Sequence, residues 1–202
     1  MSSGLLLLTL LAGGFAAEPV RIGFFMSLTG RDASFGDVSL PGAGRAVDEL
    51  KPAGGVRGRP VELVVEDNRS LAGESATAVK KLIARDHVAV LIGECSSART
   101  LEAAPIAQTA GIPLITPAAT NAKVTQAGDA IFRVCFIEPF QGDVIAAFAR
   151  RRLGLRRAAL LIDATAPYSV GLAEYFEKTF KTLGGEWIRQ MPPITTPDWR
   201  TS

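Results

Sequence analysis

Residues 88–116 read VAVLIGECSSARTLEAAPIAQTAGIPLIT. An apolar, β-branched run at 88–92 gives way to a short polar loop, Gly93-Glu94-Cys95-Ser96-Ser97. A helix-compatible stretch at 98–110 follows, then Gly111 as a stop and a second apolar run at 112–115. Two short, almost uninterrupted apolar strands joined by a helix form a βαβ unit, and such strands belong to a parallel sheet buried on both faces. A sheet with one wet face would instead alternate apolar and polar residues.

Outward from this unit the same rhythm repeats. Further strands are predicted at 20–26, 61–66, 131–134, 158–163 and 187–191, and further helices at 35–50, 73–85, 139–153 and 170–183. Glycines punctuate the boundaries: Gly54-Gly55 and Gly58 after the first helix, and Gly184-Gly185 before the last strand. The fold class is therefore α/β, with right-handed crossovers between parallel strands. The segment 116–130, rich in Pro, Ala, Thr and Asn and without a clear helix, breaks the rhythm and reads as the approach to a second unit. The expected division is a leader at 1–17, a first α/β unit at 18–133 and the start of a second at 134–202. The residues at 198–202 read as the start of a further helix, so an incomplete chain is expected.

The leader is read from Leu5–Leu11, an apolar run followed by the small residues Ala12, Gly13 and Gly14 and then Phe15-Ala16-Ala17. It is shorter than the ~20 residues that span a bilayer. An apolar core followed by a small-x-small site is a secretory signal peptide, with cleavage expected after Ala16 or Ala17. Export to the periplasm or the exterior follows.

A net charge of +2 and an aromatic content of 7% offer neither a basic footprint nor a stacking platform, so nucleic acid is not an expected partner. The single histidine, His87, precedes the strand that leads to Cys95. Eight strand positions amount to roughly 26 Å, so the two form no dyad within that unit. No His and Cys residues have metal-ligand spacing, and no cofactor is implied. Cys95 and Cys135 could pair in an oxidising compartment or remain small buried hydrophobes. Glu66-Asp67, at a strand end, could hold a cation or serve only as solvated loop residues. The arginines at 150–152 suit a helix C-terminus.

In open parallel sheets ligands lie beyond the carboxyl ends of the strands. Four loops qualify, at 27–36, 67–70, 93–97 and 116–121. The third enters a helix N-terminus, whose free N–H groups and dipole favour a carboxylate or phosphate, and a Ser hydroxyl adds a donor. The fourth offers Thr120 with a hydroxyl and a backbone N–H. The two loops could clamp a small zwitterion, or their Ser and Thr residues could merely cap helices and turns.

The order and spacing of several motifs resemble one family. These are residues 22–30 with Phe35-Gly36, Gly54-Gly55-Val56-Arg57-Gly58, Glu66-Asp67, Cys95-Ser96-Ser97, residues 111–120, and Tyr168 followed by Gly171-Leu172-Ala173. Together they resemble the periplasmic leucine/isoleucine/valine-binding proteins, the type I solute-binding receptors of ABC transporters. The resemblance implies two Rossmann-like lobes closing on a ligand, both incomplete here, in a monomer that delivers a branched-chain or other aliphatic amino acid to a membrane permease without catalysis. It implies that Ser96 and the Thr120 N–H hold the ligand carboxylate and that the Ala118 carbonyl and Thr120 hydroxyl hold its ammonium. Tyr168 would contribute from the second lobe, Cys95 would line the cleft, and Phe35 would pack on the ligand side chain. An acidic ammonium partner is expected beyond Ser202. Related receptors for amides, urea or aromatic acids, or a ligand-sensing regulator, share the pattern.

Overall fold

The computed structural model describes residues 17–190. The apolar leader core, the end of the last predicted strand and the segment at 198–202 lie outside the described residues.

Strand β1 (Val20–Met26) is an interior strand of the first sheet. It pairs in parallel with β2 (Val61–Asp67) on one side and β3 (Val90–Ile92) on the other. Strands β4 (Leu114–Thr116) and β5 (Ile131–Arg133) extend the sheet, giving the order β2-β1-β3-β4-β5. A separate parallel pair, β6 (Arg157–Leu161) and β7 (Glu186–Gln190), forms a second sheet. The helices are α1 (Ala33–Leu50), α2 (Glu74–Ala84), α3 (Ser97–Ala110), α4 (Lys123–Gln126), α5 (Glu138–Ala147) and α6 (Pro167–Thr182). No helix among the described residues is long and apolar enough to cross a membrane.

The first core lies where α2 and α3 cover the sheet. Phe25, Val79, Leu82, Leu91 and Leu114 are fully buried there, against the alanines Ala103, Ala104 and Ala107 of α3. Small residues on that face let the helix approach the strands closely, and each fully buried large apolar side chain contributes about 1.5–3 kcal/mol. The second core is smaller. Phe176 and Phe180 stack at 5.0 Å between ring centres and pack with Ala146, Ala158 and Leu160.

Several boundaries differ from the sequence expectation for identifiable reasons. β4 starts at Leu114 rather than at residue 112, since Pro113 has no N–H to give to the ladder, although its carbonyl accepts from Leu91 N–H at 2.8 Å. The predicted helix at 139–153 is an α-helix to Ala147 followed by a π turn at Phe148–Arg152. Within 116–130, read as helix-free, Lys123–Gln126 forms a single helical turn, started by the Asn121 side-chain oxygen accepting from Lys123 N–H at 3.0 Å. Both cysteines are free thiols: Cys95 lies 3.9 Å from the Ser39 hydroxyl, and Cys135 faces the Ala119 carbonyl. Burial pushes both thiols above their ordinary pKa.

Two glycine-to-alanine changes separate packing from backbone effects. At Gly142, where α5 meets α6, an added Cβ would stand 2.7 Å from Tyr175 Cβ, while at Gly42 in α1 nothing lies within 4 Å. Gly142→Ala should cost about 1–3 kcal/mol through overpacking. Gly42→Ala should instead stabilise by about 0.5–1 kcal/mol, because the helix interior prefers alanine. Urea unfolding midpoints should move in opposite directions.

Candidate functional site

The loops at the carboxyl edge of the first sheet are organised around one buried carboxylate. Glu94 is 1% exposed. Its Oε1 accepts from Ser27 N–H at 2.9 Å and from Asn68 Nδ2 at 3.2 Å, and its Oε2 accepts from Ser96 N–H. The Ser27 hydroxyl lies 2.7 Å from Glu94 Oε1 and 2.9 Å from Asn68 Oδ1, so its single proton serves one of them at a time. The Arg99 guanidinium sits 3.6 Å from Glu94, donates to Ser27 Oγ at 3.1 Å and pairs with Asp32. The Glu94 carbonyl accepts from Thr116 Oγ1 at 2.6 Å and from Thr100 Oγ1 at 3.0 Å. One residue thereby ties together the loops after β1, β2 and β3 and the end of β4. Buried charges persist only when paired and hydrogen-bonded in this way.

Gly93 makes that arrangement possible. Its φ is +147°, and a Cβ there would stand 2.1 Å from the Phe25 carbonyl. The strand edge can bring Glu94 this close to β1 only without a side chain at that position.

Glu66 and Asp67 turn out to be loop-building groups. Glu66 pairs with Lys81 at 2.6 Å and with Arg85 at 3.5 Å. Asp67 accepts from Leu28 N–H, Thr29 N–H, the Thr29 hydroxyl and Arg69 N–H. Burial alone would raise the Asp67 pKa, but those hydrogen bonds outweigh it and hold the carboxyl below its usual value. Arg150 donates to the carbonyls of Leu183 at 3.1 Å and Leu155 at 2.9 Å, in keeping with a helix-end role. His87 is exposed at the opposite end of β3.

Above Glu94 lies a cleft of about 410 Å³. All six residues singled out from the sequence line it: Phe35, Cys95, Ser96, Ala118, Thr120 and Tyr168. Ser96 occupies the N-cap position of α3, yet its hydroxyl makes no capping hydrogen bond. Ser97 is used differently, its hydroxyl accepting from Asn121 N–H at 3.2 Å. The Thr120 hydroxyl is buried with no partner. Tyr168 stands at the start of α6, where its hydroxyl accepts from Gln141 Nε2 at 3.2 Å. Phe35 and Tyr168, from α1 and α6, are roughly half exposed, as walls of an open cleft are.

Sequence reasoning missed Asp32, Ser97, Phe136, Gln141 and Ala166, which line the same space. Phe136 and Gln141 follow β5, whose outgoing segment is a fifth loop at the same sheet edge. Counting five strand ends rather than four would have found Phe136, whereas Gln141 lies within α5 and carried no such signal. Gln141 matters chemically, because its Oε1 is buried without a partner. The cleft thus offers apolar aromatic walls and, at its base, a serine, a threonine and an amide oxygen whose hydrogen-bonding capacity is unspent. That combination suits a small ligand with one polar and one apolar end.

Replacing Glu94 by glutamine should cost about 1–3 kcal/mol, because the amide replaces one accepting oxygen with a donor that faces donors, while Arg99 keeps only Asp32 as its counter-charge. Urea unfolding at neutral pH measures it, and a loss of under about 1 kcal/mol would show that the network is not the support of these loops.

The sequence profile of the family described as periplasmic binding protein matches residues 19–201. A leucine-, isoleucine-, valine-, threonine- and alanine-binding protein of Pseudomonas aeruginosa is 32% identical over 84% of this chain and 45% of its own length. Among solved structures, a leucine-binding protein, LivK, of Thermotoga maritima is 39% identical, with a TM-score of 0.84 over 90% of this chain and 51% of its own. The branched-chain amino acid transporter substrate-binding protein LivJ of Streptococcus pneumoniae, in complex with isoleucine, is 31% identical, with a TM-score of 0.83 over 91% of this chain and 52% of its own. A solute-binding protein of an ABC transporter from Rhodopseudomonas palustris, in complex with 3,4-dihydroxybenzoic acid, is 26% identical, with a TM-score of 0.78 over 89% and 49%. The chain spans about half the length of the relatives it matches. With its parallel α/β sheets, its cleft at the strand ends and this match along nearly its whole length, the chain belongs to the periplasmic binding protein family and has the type I fold of that family.

Proposed function

We propose that the protein is an exported, non-catalytic receptor that captures a branched-chain or other aliphatic amino acid and delivers it to the membrane permease of an ABC transporter. The observation that carries this reading is the division of the cleft into apolar walls, Phe35, Phe136 and Tyr168, and a base where Ser96, Thr120 and Gln141 have hydrogen-bonding capacity to spare. An aliphatic side chain goes to the walls. The ligand carboxylate goes to Ser96 at the α3 N-terminus, where the helix dipole favours negative charge. The ammonium goes to the Thr120 hydroxyl and the Ala118 carbonyl.

In this reading residues 18–133 form one lobe and residues 134–202 begin the other. The separate sheets and the cleft walls drawn from α1 on one side and α6 on the other support that division. Closure of two lobes on a ligand is a hinge motion absorbed by the few residues that join them. Residues 1–17 act as the leader, so N-terminal sequencing of the exported protein should begin at Ala17 or Glu18.

A second reading, an aromatic acid as ligand, is favoured by the aromatic walls and by the relative that carries 3,4-dihydroxybenzoic acid. Thermal unfolding of the full-length protein separates the two. Leucine, isoleucine or valine at about 100 times its dissociation constant should stabilise by about 2.7 kcal/mol, and Ser96→Ala should need markedly more ligand for the same shift. Stabilisation by hydroxybenzoates alone would select the second reading. No response to either class would remove both.

A further inference from the structure

Two residues that line the cleft, Thr120 and Gln141, each carry a buried side-chain oxygen without a hydrogen-bond partner among the described residues. The binding mode proposed above gives the Thr120 hydroxyl to the ligand ammonium and leaves Gln141 Oε1 unassigned. Gln141 stands on α5, and its Nε2 donates to the hydroxyl of Tyr168 on α6 at 3.2 Å. That bond occupies the nitrogen end of the amide and leaves the oxygen end over. The neighbouring backbone fixes the pair. A Cβ at Gly142 would stand 2.7 Å from Tyr175 Cβ and 2.8 Å from the Phe176 nitrogen, so α5 and α6 meet there at close range. Gln141 and Tyr168 are thus held opposite each other by the contact between their helices.

We infer, on the reading that this cleft holds an amino acid, that Gln141 and Tyr168 together receive a hydroxyl on the ligand side chain, so that a β-hydroxy amino acid is preferred over the purely aliphatic one of the same shape. The Tyr168 hydroxyl spends a lone pair on Gln141 Nε2 and keeps its own proton, while Gln141 Oε1 keeps its lone pairs. The pair therefore presents one donor and one acceptor next to each other. An ammonium only donates and a carboxylate only accepts, whereas a hydroxyl does both. A ligand hydroxyl donates to Gln141 Oε1 and accepts from the Tyr168 O–H.

The rest of the ligand is already provided for. Its carboxylate and ammonium go to Ser96, Thr120 and Ala118, all on loops of the first sheet, whereas Gln141 and Tyr168 belong to α5 and α6. The rings of Phe35 and Phe136 remain for a methyl group. A ligand side chain without a donor leaves the Gln141 oxygen buried and unmatched, which is costly. Sites that hydrogen-bond a ligand hydroxyl discriminate strongly against the analogue that lacks it.

Calorimetric titration of the full-length protein with threonine and with valine tests the inference, since the two differ only by a hydroxyl in place of a methyl group. Threonine should bind about tenfold tighter than valine, the lower part of the range expected for an unmatched buried acceptor. Gln141→Met removes the acceptor at similar length, and Tyr168→Phe removes the donor while keeping the ring. Each variant, measured separately, should bring the ratio of the two affinities to about one or below. Valine binding as tightly as threonine to the wild type overturns the inference, and so does a wild-type ratio that survives in both variants. In either case leucine still binds, and the reading of the cleft as an amino-acid site stands. Failure of the folded wild type to bind threonine, valine or leucine overturns that reading, and the inference with it.

Discussion

The cleft depends on the pairing of Glu94 with Ser27, Asn68, Ser96 and Arg99. A parallel sheet ends in a row of loops, and loops left to themselves have no common register. A buried carboxylate that accepts from three of them supplies one. The same contact directs the Ser96 N–H inward to Glu94, which leaves the Ser96 hydroxyl as the donor at the mouth of α3. The loop after β4 is drawn to the same point from the other side, through Thr116 to the Glu94 carbonyl and through Asn121 to Ser97. Placement of the polar base of the cleft is thus a consequence of solving the desolvation of a single charge.

A second buried carboxyl, Glu138, stands behind the cleft in a different setting. Glu94 has a guanidinium beside it, whereas Glu138 has one amide donor and an oxygen left over. Two glutamates of similar burial are therefore held differently: one by several loops and a guanidinium, the other by a single amide with one oxygen left over. The segment between β5 and α5 carries exposed apolar side chains at Val134 and Phe136, and the first turn of α5 adds Phe140.

The repeating βαβ units were legible in the sequence because buried parallel strands are apolar on both faces and their ends are marked by Gly and Pro. The rule that ligands sit at strand ends led from there to the residues of the cleft. What stayed hidden depended on contacts between distant segments. The short helix α4 follows a turn closed by the Asn121 side chain, and nothing in the pattern Lys123-Val124-Thr125-Gln126 announces it. Gln141 reads as an ordinary helix residue until Tyr168 is brought opposite it. Glu138 reads as an acidic residue favourable at a helix start, and its burial appears only when Gly171, far along the chain, leaves room for it. The state of the two cysteines was equally open, since sequence separation does not determine whether their sulfurs meet.

The central claim concerns how the cleft would hold a zwitterion, and a crystal structure of the full-length protein with leucine tests it most directly. The account predicts the ligand carboxylate within hydrogen-bond reach of the Ser96 hydroxyl, its ammonium at the Thr120 hydroxyl and Ala118 carbonyl, and its side chain against Phe35. Leucine bound elsewhere, or in this cleft with its carboxylate and ammonium exchanged, would contradict it.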